Sequence, residues 1–357
     1  MSLLFSETTV GPLKLQNRLV MAPMTRCRAI NNIPNELMAQ YYAQRSSAGL
    51  ILTEGTSPSP NGLGYARIPG IFSLAQVEGW KRVTEAVHRH GAKFFMQLMH
   101  TGRVSHPLNM PAGARVLAPS AIAAAGEMYT DAEGMKPQPV PIAMTSADIE
   151  TTKGEYVQAA TNAIAAGCDG VELHSANGYL LEQFIRPTSN HRDDRYGGSI
   201  ENRARFVLEV AAAAVAAIGK DKVGIRLSPY GIYNDMPFYD QMESDYGYLA
   251  EKLNALGLIH IHLVDHSSAG APTVPESIKA TIRHVFERTL ILSGGYDAAR
   301  AEKDLSERKG DLIAVGKQFL ANPDLPARWK AGAALNEVDF ATFYTPGPKG
   351  YTDYPAL

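Results

Sequence analysis

The chain has 357 residues, 45% of them hydrophobic, and a formal net charge of −2 at pH 7 with a pI near 6.6. That length and apolar content can bury a barrel-sized core, and the near-neutral balance offers no basic field to hold nucleic acid. No apolar run is long enough to span a bilayer, the first ten residues lack a secretory layout, and Cys27 and Cys168 have neither CxxC spacing nor clustered neighbours, so a cytoplasmic chain without a zinc or iron–sulfur centre is expected.

In chain order, strand-like 18–22 leads to a helical stretch at 34–48, 50–54 to 76–90, 93–98 to 147–166, and 170–174 to 199–218. The second half continues with 223–228 and 245–256, 259–264 and 275–286, 290–293 and 298–307, then 312–316 and 324–332. Eight such strand–helix pairs predict an α/β fold, a (β/α)8 TIM barrel, in one domain over 1–357. A doubly wound dinucleotide domain would place Gly-x-Gly-x-x-Gly after an early strand, and that turn is missing. Residues 99–145, rich in Pro, Gly and Ala, separate the third strand from its helix and read as an inserted lid or subdomain. Residues 186–198 form a second, polar interruption whose Arg192-Asp193-Asp194-Arg195 run reads as a solvated or self-paired loop rather than a substrate clamp.

A barrel puts its chemistry where strands end. Thr25, Gly55, Gln97 with His100, His174, Arg226, Gly294 and Gly316 all fall at such ends. His174 and Asn177, three apart on chain leaving the fourth strand, suit convergence on one small acceptor, and Tyr179 can offer a proton to the same space. A plain polar turn would carry the same residues. Ser293-Gly294-Gly295 and Val315-Gly316-Lys317 let backbone approach an anion, as barrels do for phosphate between their last two loops, although tight turns explain the glycines equally well. With Gln97 and Arg226 on neighbouring strands, the whole suits a phosphorylated ring cofactor.

Several stretches taken together resemble the Old Yellow Enzyme family of FMN-dependent ene-reductases over nearly the whole chain. They include Asn17 to Arg26, Gln97 to Arg103, Glu172 to Leu180, Ser189 to Arg192, Tyr196 to Arg203, Ala321 to Leu325 and Gly350 to Pro355. The resemblance implies non-covalent FMN, NADPH as hydride donor, and an activated alkene such as an enone, maleimide or nitroalkene as acceptor. By position it assigns His174 and Asn177 to the substrate oxygen and Tyr179 to protonation of the α-carbon. It assigns Pro23, Met24, Thr25, Gly55, Gln97 and Arg226 to the isoalloxazine, and Gly294, Gly295, Gly316 and Lys317 to the phosphate. Tyr65, Met99 and Tyr351 would line the substrate pocket; a monomer or a homodimer is compatible with it.

Departures from the family pattern are Met99, where many relatives carry Trp, and Lys317, where Arg is usual. A flexible thioether implies a more adaptable pocket, and a point charge replaces a bidentate donor. Cys27, two residues after Thr25, reads as a structural or incidental thiol. Two other readings stay open: a metal-dependent barrel hydrolase using His260 and His262, and a non-catalytic flavin-binding barrel.

Overall fold

Eight parallel strands close on themselves in the computed structural model, which describes residues 2–357. They are β1 (Leu19–Met21), β2 (Leu50–Leu52), β3 (Lys93–Leu98), β4 (Gly170–Ser175), β5 (Val223–Leu227), β6 (His260–Val264), β7 (Thr289–Ser293) and β8 (Leu312–Val315). β8 pairs with β1, so no edge is left to pair with another chain. Every predicted strand is present. Their ends differ by up to two residues, as at β2, where Thr53 leaves the ladder and its Oγ1 accepts the Gln97 N–H at 2.9 Å.

The expected helices surround the barrel. Leu74–His88 and Ser146–Ala165 start at reciprocal capping boxes, Ser73 with Gln76 and Thr145 with Asp148, which satisfy N–H groups the helix itself cannot. The predicted helix at 199–218 is divided at Ala204 into Ile200–Arg203 and Arg205–Ile218. Short helices at Leu180–Ile185 and Lys317–Ala321 were not anticipated, because stretches of this length are too short to display a 3.6-residue period.

Apolar side chains divide into an outer layer between strands and helices and an inner plug. The plug joins Val20, Leu52, Phe95, Ile291 and Leu312 to Val10 and Leu15, which come from an N-terminal hairpin, Thr8–Val10 with Leu13–Leu15. Sealing this part of the barrel with apolar groups leaves polar side chains to the part toward the strand C-termini. Within 99–145 lie a hairpin, Glu127–Thr130 with Gly134–Pro137, and a short pair, Leu117–Ala118 with Ile142–Ala143. Met128 of that hairpin packs in a small cluster with Cys27, Met99 and Tyr179. Within the charged run at 192–195 Arg192 pairs with Asp194, Arg195 pairs outside it with Glu209, and Asp193 is exposed. No helix of the described residues is long and apolar enough to cross a membrane.

Candidate active site

Strand register brings the polar residues together. His174 on β4 pairs with Arg226 on β5, and Glu172 pairs with Gln97 on β3. Beyond β4 the backbone turns sharply through two left-handed residues, Asn177 at φ +58° and Gly178 at φ +78°. Asparagine tolerates that region, whereas a Cβ at Gly178 would meet the Tyr233 carbonyl oxygen at 2.8 Å. The turn is held by Asn177 N–H donating to Ser228 Oγ (2.8 Å), Gly178 N–H donating to Glu182 Oε2 (2.7 Å) and Asn234 Nδ2 donating to the Asn177 carbonyl (2.6 Å).

Two adjoining cavities result, of about 730 and 480 Å³. The larger is lined by Tyr65, Gln97, Met99, His174, Asn177 and Tyr179, and the smaller by Met24, Ser293, Gly294, Gly295, Gly316 and Lys317. Pro23, Thr25 and Arg226 line both, which makes the pair one continuous groove across the strand ends.

Electrostatics define what each group can do. Burial, then the Arg226 charge, holds the His174 imidazole well below its ordinary pKa, so it is neutral and keeps one N–H. Its Nδ1 has no hydrogen-bond partner among the described residues although it is buried. Burial pushes the Tyr179 phenol up to about 12, so its proton is retained at neutral pH. The hydroxyl lies 3.0 Å from that of Tyr65, and the ring meets His174 edge-on with centroids 4.8 Å apart. Asn177 is oriented from outside the turn: His266 Nε2 lies 2.6 Å from Asn177 Oδ1. Burial, then Arg226, holds His266 at about 4, so a neutral ring donates its N–H to that oxygen and the Asn177 amide N–H groups remain free to donate.

These cavities pass a test for FMN. Arg226 is 6% exposed and its buried Nε has no partner, a costly arrangement unless an acceptor is supplied by a ligand. Gly294, at φ +131°, would put a Cβ 2.1 Å from the Asp265 carbonyl oxygen, so this cavity wall admits only glycine. Arg226 and Gln97 line the cavities where they could meet a polar ring edge, and the Gly294, Gly295, Gly316 and Lys317 loops where they could hold a phosphate.

Several predicted residues lie elsewhere. Tyr351 is fully buried and stacked on Tyr41 at 4.0 Å, with the Arg26 and Arg28 guanidinium groups over its ring; it lines neither cavity, which corrects its placement in a substrate pocket. Gly55 also lines neither cavity, and a Cβ there would strike Met99 Sδ at 2.4 Å, so its bareness makes room for Met99. His100 accepts the Gly102 N–H at 3.1 Å and supports its own loop. Cys27 does line the larger cavity, but burial and then the Glu54 charge push its thiol up to about 12, so it stays protonated. His260 and His262 both contact the Glu172 carboxylate at 3.0 Å, and no group of three or more potential metal ligands occurs among the described residues.

Sequence reasoning assigned no role to His266 or Glu172, and none to the Ser293 side chain. For Glu172 a signal existed: a carboxylate between Val171 and Leu173 inside a wholly buried strand must be partnered. The rim residues Arg67, Asp131 and Tyr344 come from three distant segments, and no local pattern announces them. Arg67 pairs with Asp131 and donates to the Tyr344 carbonyl, joining the inserted hairpin to the C-terminal segment at the cavity.

Comparison with known proteins agrees with this architecture. The sequence profile of the NADH:flavin oxidoreductase / NADH oxidase family matches residues 3–336. The chain is 42% identical to 12-oxophytodienoate reductase 1 of Oryza sativa subsp. japonica, over 99% of this chain and 93% of that protein. It is 41% identical to a probable flavin mononucleotide-dependent alkene reductase of Leishmania infantum, over 98% and 96%. Among solved structures, morphinone reductase superposes with a TM-score of 0.96 at 44% identity, covering 100% of this chain and 96% of that one. The chain therefore belongs to the NADH:flavin oxidoreductase / NADH oxidase family, the Old Yellow Enzyme family, and is an FMN-dependent, NAD(P)H-oxidising enzyme on an eight-stranded barrel.

Proposed function

We propose that the protein is an ene-reductase that takes hydride from NADPH and reduces the double bond of enones, maleimides and nitroalkenes. The observation that carries this reading is the convergence of His174, Asn177 and Tyr179 on the larger cavity, with an unpartnered nitrogen on His174. Bound FMN would supply the hydride-transfer chemistry that links NADPH to the β-carbon of the alkene. The His174 and Asn177 N–H groups hold the carbonyl or nitro oxygen and stabilise the negative charge that grows there. Tyr179, a neutral phenol, gives its proton to the α-carbon, and the Tyr65 hydroxyl 3.0 Å away is placed to restore it.

An anaerobic absorbance experiment tests the reading. Purified protein carrying FMN is expected to bleach with NADPH and to recover its colour with cyclohexenone. A protein that bleaches and does not recover with any activated alkene is not an ene-reductase.

Two variants resolve the roles. Tyr179→Phe is expected to leave bleaching by NADPH unchanged in stopped flow and to slow reoxidation by cyclohexenone roughly 10²-fold, the usual size of a general-acid contribution. Equal losses in both half-reactions would remove Tyr179 as the proton donor. His266→Phe keeps a ring beside Tyr233 but deletes the hydrogen bond to Asn177. It is expected to raise KM for the enone about fivefold, corresponding to one ordinary hydrogen bond of about 1 kcal/mol. His266→Gln, which can still donate, should recover part of that loss in steady-state assays.

A further inference from the structure

Glu172 is fully buried inside β4, and none of the roles above uses it. Gln97 Nε2 donates to its Oε1 at 2.8 Å, and His260 Nε2 and His262 Nδ1 each lie 3.0 Å from its Oε2. The far nitrogen of His262, Nε2, lies 3.0 Å from Ser293 Oγ. Space is reserved for this cluster: a Cβ at Gly224 would meet the His260 ring at 2.2 Å.

The protonation states follow from the surroundings. Burial pushes Glu172 up, but the neighbouring His262 and the hydrogen bonds from both histidines outweigh it, and the carboxylate is held well below its usual range. Burial pushes His262 down to about 4, so it is a neutral ring with one N–H. Beside a carboxylate that N–H sits on Nδ1, leaving Nε2 as an acceptor which only the Ser293 hydroxyl proton can fill. Both ends of the chain of bonds reach the cavities, Gln97 at the larger and Ser293 at the smaller. One N–H of the Gln97 amide is committed to Glu172, which fixes the orientation of the amide, and its carbonyl oxygen has no protein donor among the described residues. The Ser293 proton is committed to His262, and its lone pairs are free.

We propose that Glu172 is a positioning residue that sets the hydrogen-bond polarity of the cofactor cavity, committing Gln97 and Ser293 as acceptors for the ring N–H and a side-chain hydroxyl of FMN. This rests on FMN occupying the joined cavities. Arg226 supplies the complementary donor, and the Glu172 anion opposes the loss of charge that burial imposes on that guanidinium. The pattern of acceptor, donor and acceptor across the groove is thus written by one carboxylate that lines neither cavity.

The test compares wild type, Glu172→Gln and Ser293→Ala as apoproteins titrated with FMN and with N3-methyl-FMN, followed by reduction potentials of the reconstituted enzymes. Wild type is expected to prefer FMN over the N3-methyl analogue at least tenfold. Glu172→Gln frees the Gln97 amide to turn over, so FMN should bind at least tenfold more weakly and the preference should collapse. Losing the anion should also raise the FMN potential, by about 30 mV for each tenfold favouring of the reduced form. Ser293→Ala should weaken FMN about fivefold, keep the preference and leave the potential unchanged. A purely structural role for Glu172 would weaken both flavins alike and is excluded only by the collapse of preference, so a Glu172→Gln protein that keeps the wild-type preference for FMN overturns the proposal. Should Glu172→Gln fail to fold, Ser293→Ala decides, and wild-type FMN affinity in that variant overturns it. Wild-type protein that binds no FMN refutes the cofactor placement itself, a distinct outcome.

Discussion

Replacing His174 with alanine is expected to slow alkene reduction roughly 10²- to 10³-fold, the cost of deleting one donor to a developing oxyanion in a dry site. His174 is 2% exposed, its Nδ1 has no protein partner, and its ring is neutral because burial and then Arg226 disfavour a second proton. A neutral donor gains strength as charge builds on the substrate oxygen, whereas an imidazolium so close to Arg226 would be repelled. Single-turnover reoxidation by cyclohexenone checks the magnitude, with bleaching by NADPH as the internal control. The shift also fixes a sign: with the pKa lowered, wild-type reoxidation shows no titration of His174 across about pH 6 to 8, where an ordinary histidine would titrate. A loss of less than about threefold, or a break in that pH range that His174→Ala removes, would take the donor role away.

Arg186→Met is expected to produce the largest loss of stability, roughly 3–5 kcal/mol, because removing one partner of a buried ion pair strands the other charge. Arg186 and Glu182 are 0% and 1% exposed in their side chains, and Arg186 Nη2 donates to Glu182 Oε1 at 2.8 Å. Glu182 also accepts from Tyr246 Oη at 2.6 Å, from Ser228 Oγ at 3.1 Å and from the Gly178 N–H at 2.7 Å. The last bond links the pair to the Asn177-Gly178 turn, so the variant should lose alkene reduction before it unfolds. Denaturant titration measures the stability, and the double variant Glu182→Leu/Arg186→Met should recover part of it, since no charge is then left alone. Full recovery is not expected, because the Gly178 N–H would remain without its acceptor. A single variant that unfolds at the wild-type midpoint would show that solvent reaches this pair.

Much of the fold was legible because each strand and helix announces itself over a few adjacent residues. Apolar runs such as Gly170 to Leu173 and capping signals such as Ser73 with Gln76 act locally, so their order along the chain already implied the barrel. The His174, Asn177 and Tyr179 constellation was legible for the same reason, since one turn carries all three. Less legible was the N-terminal hairpin, whose three-residue strands show no period and whose function is to fill the barrel opposite the site. Tyr351 was placed in the pocket by the family resemblance alone, whereas Arg26, Arg28 and Tyr41 pack around its ring in the core.

The sequence by itself determined the strand–helix alternation, the strand ends where polar residues gather, and residue types suited to an anion, a ring and a substrate oxygen. Only the tertiary structure decided which side chains face one another across strands: His266 against Asn177, Tyr65 against Tyr179, and Gln97, His260 and His262 on Glu172. The physical reason is range. Propensity, capping and alternation are properties of neighbours in sequence, whereas a tautomer, an amide orientation or a neutral buried histidine depends on partners up to 114 residues away whose register is set when the barrel closes.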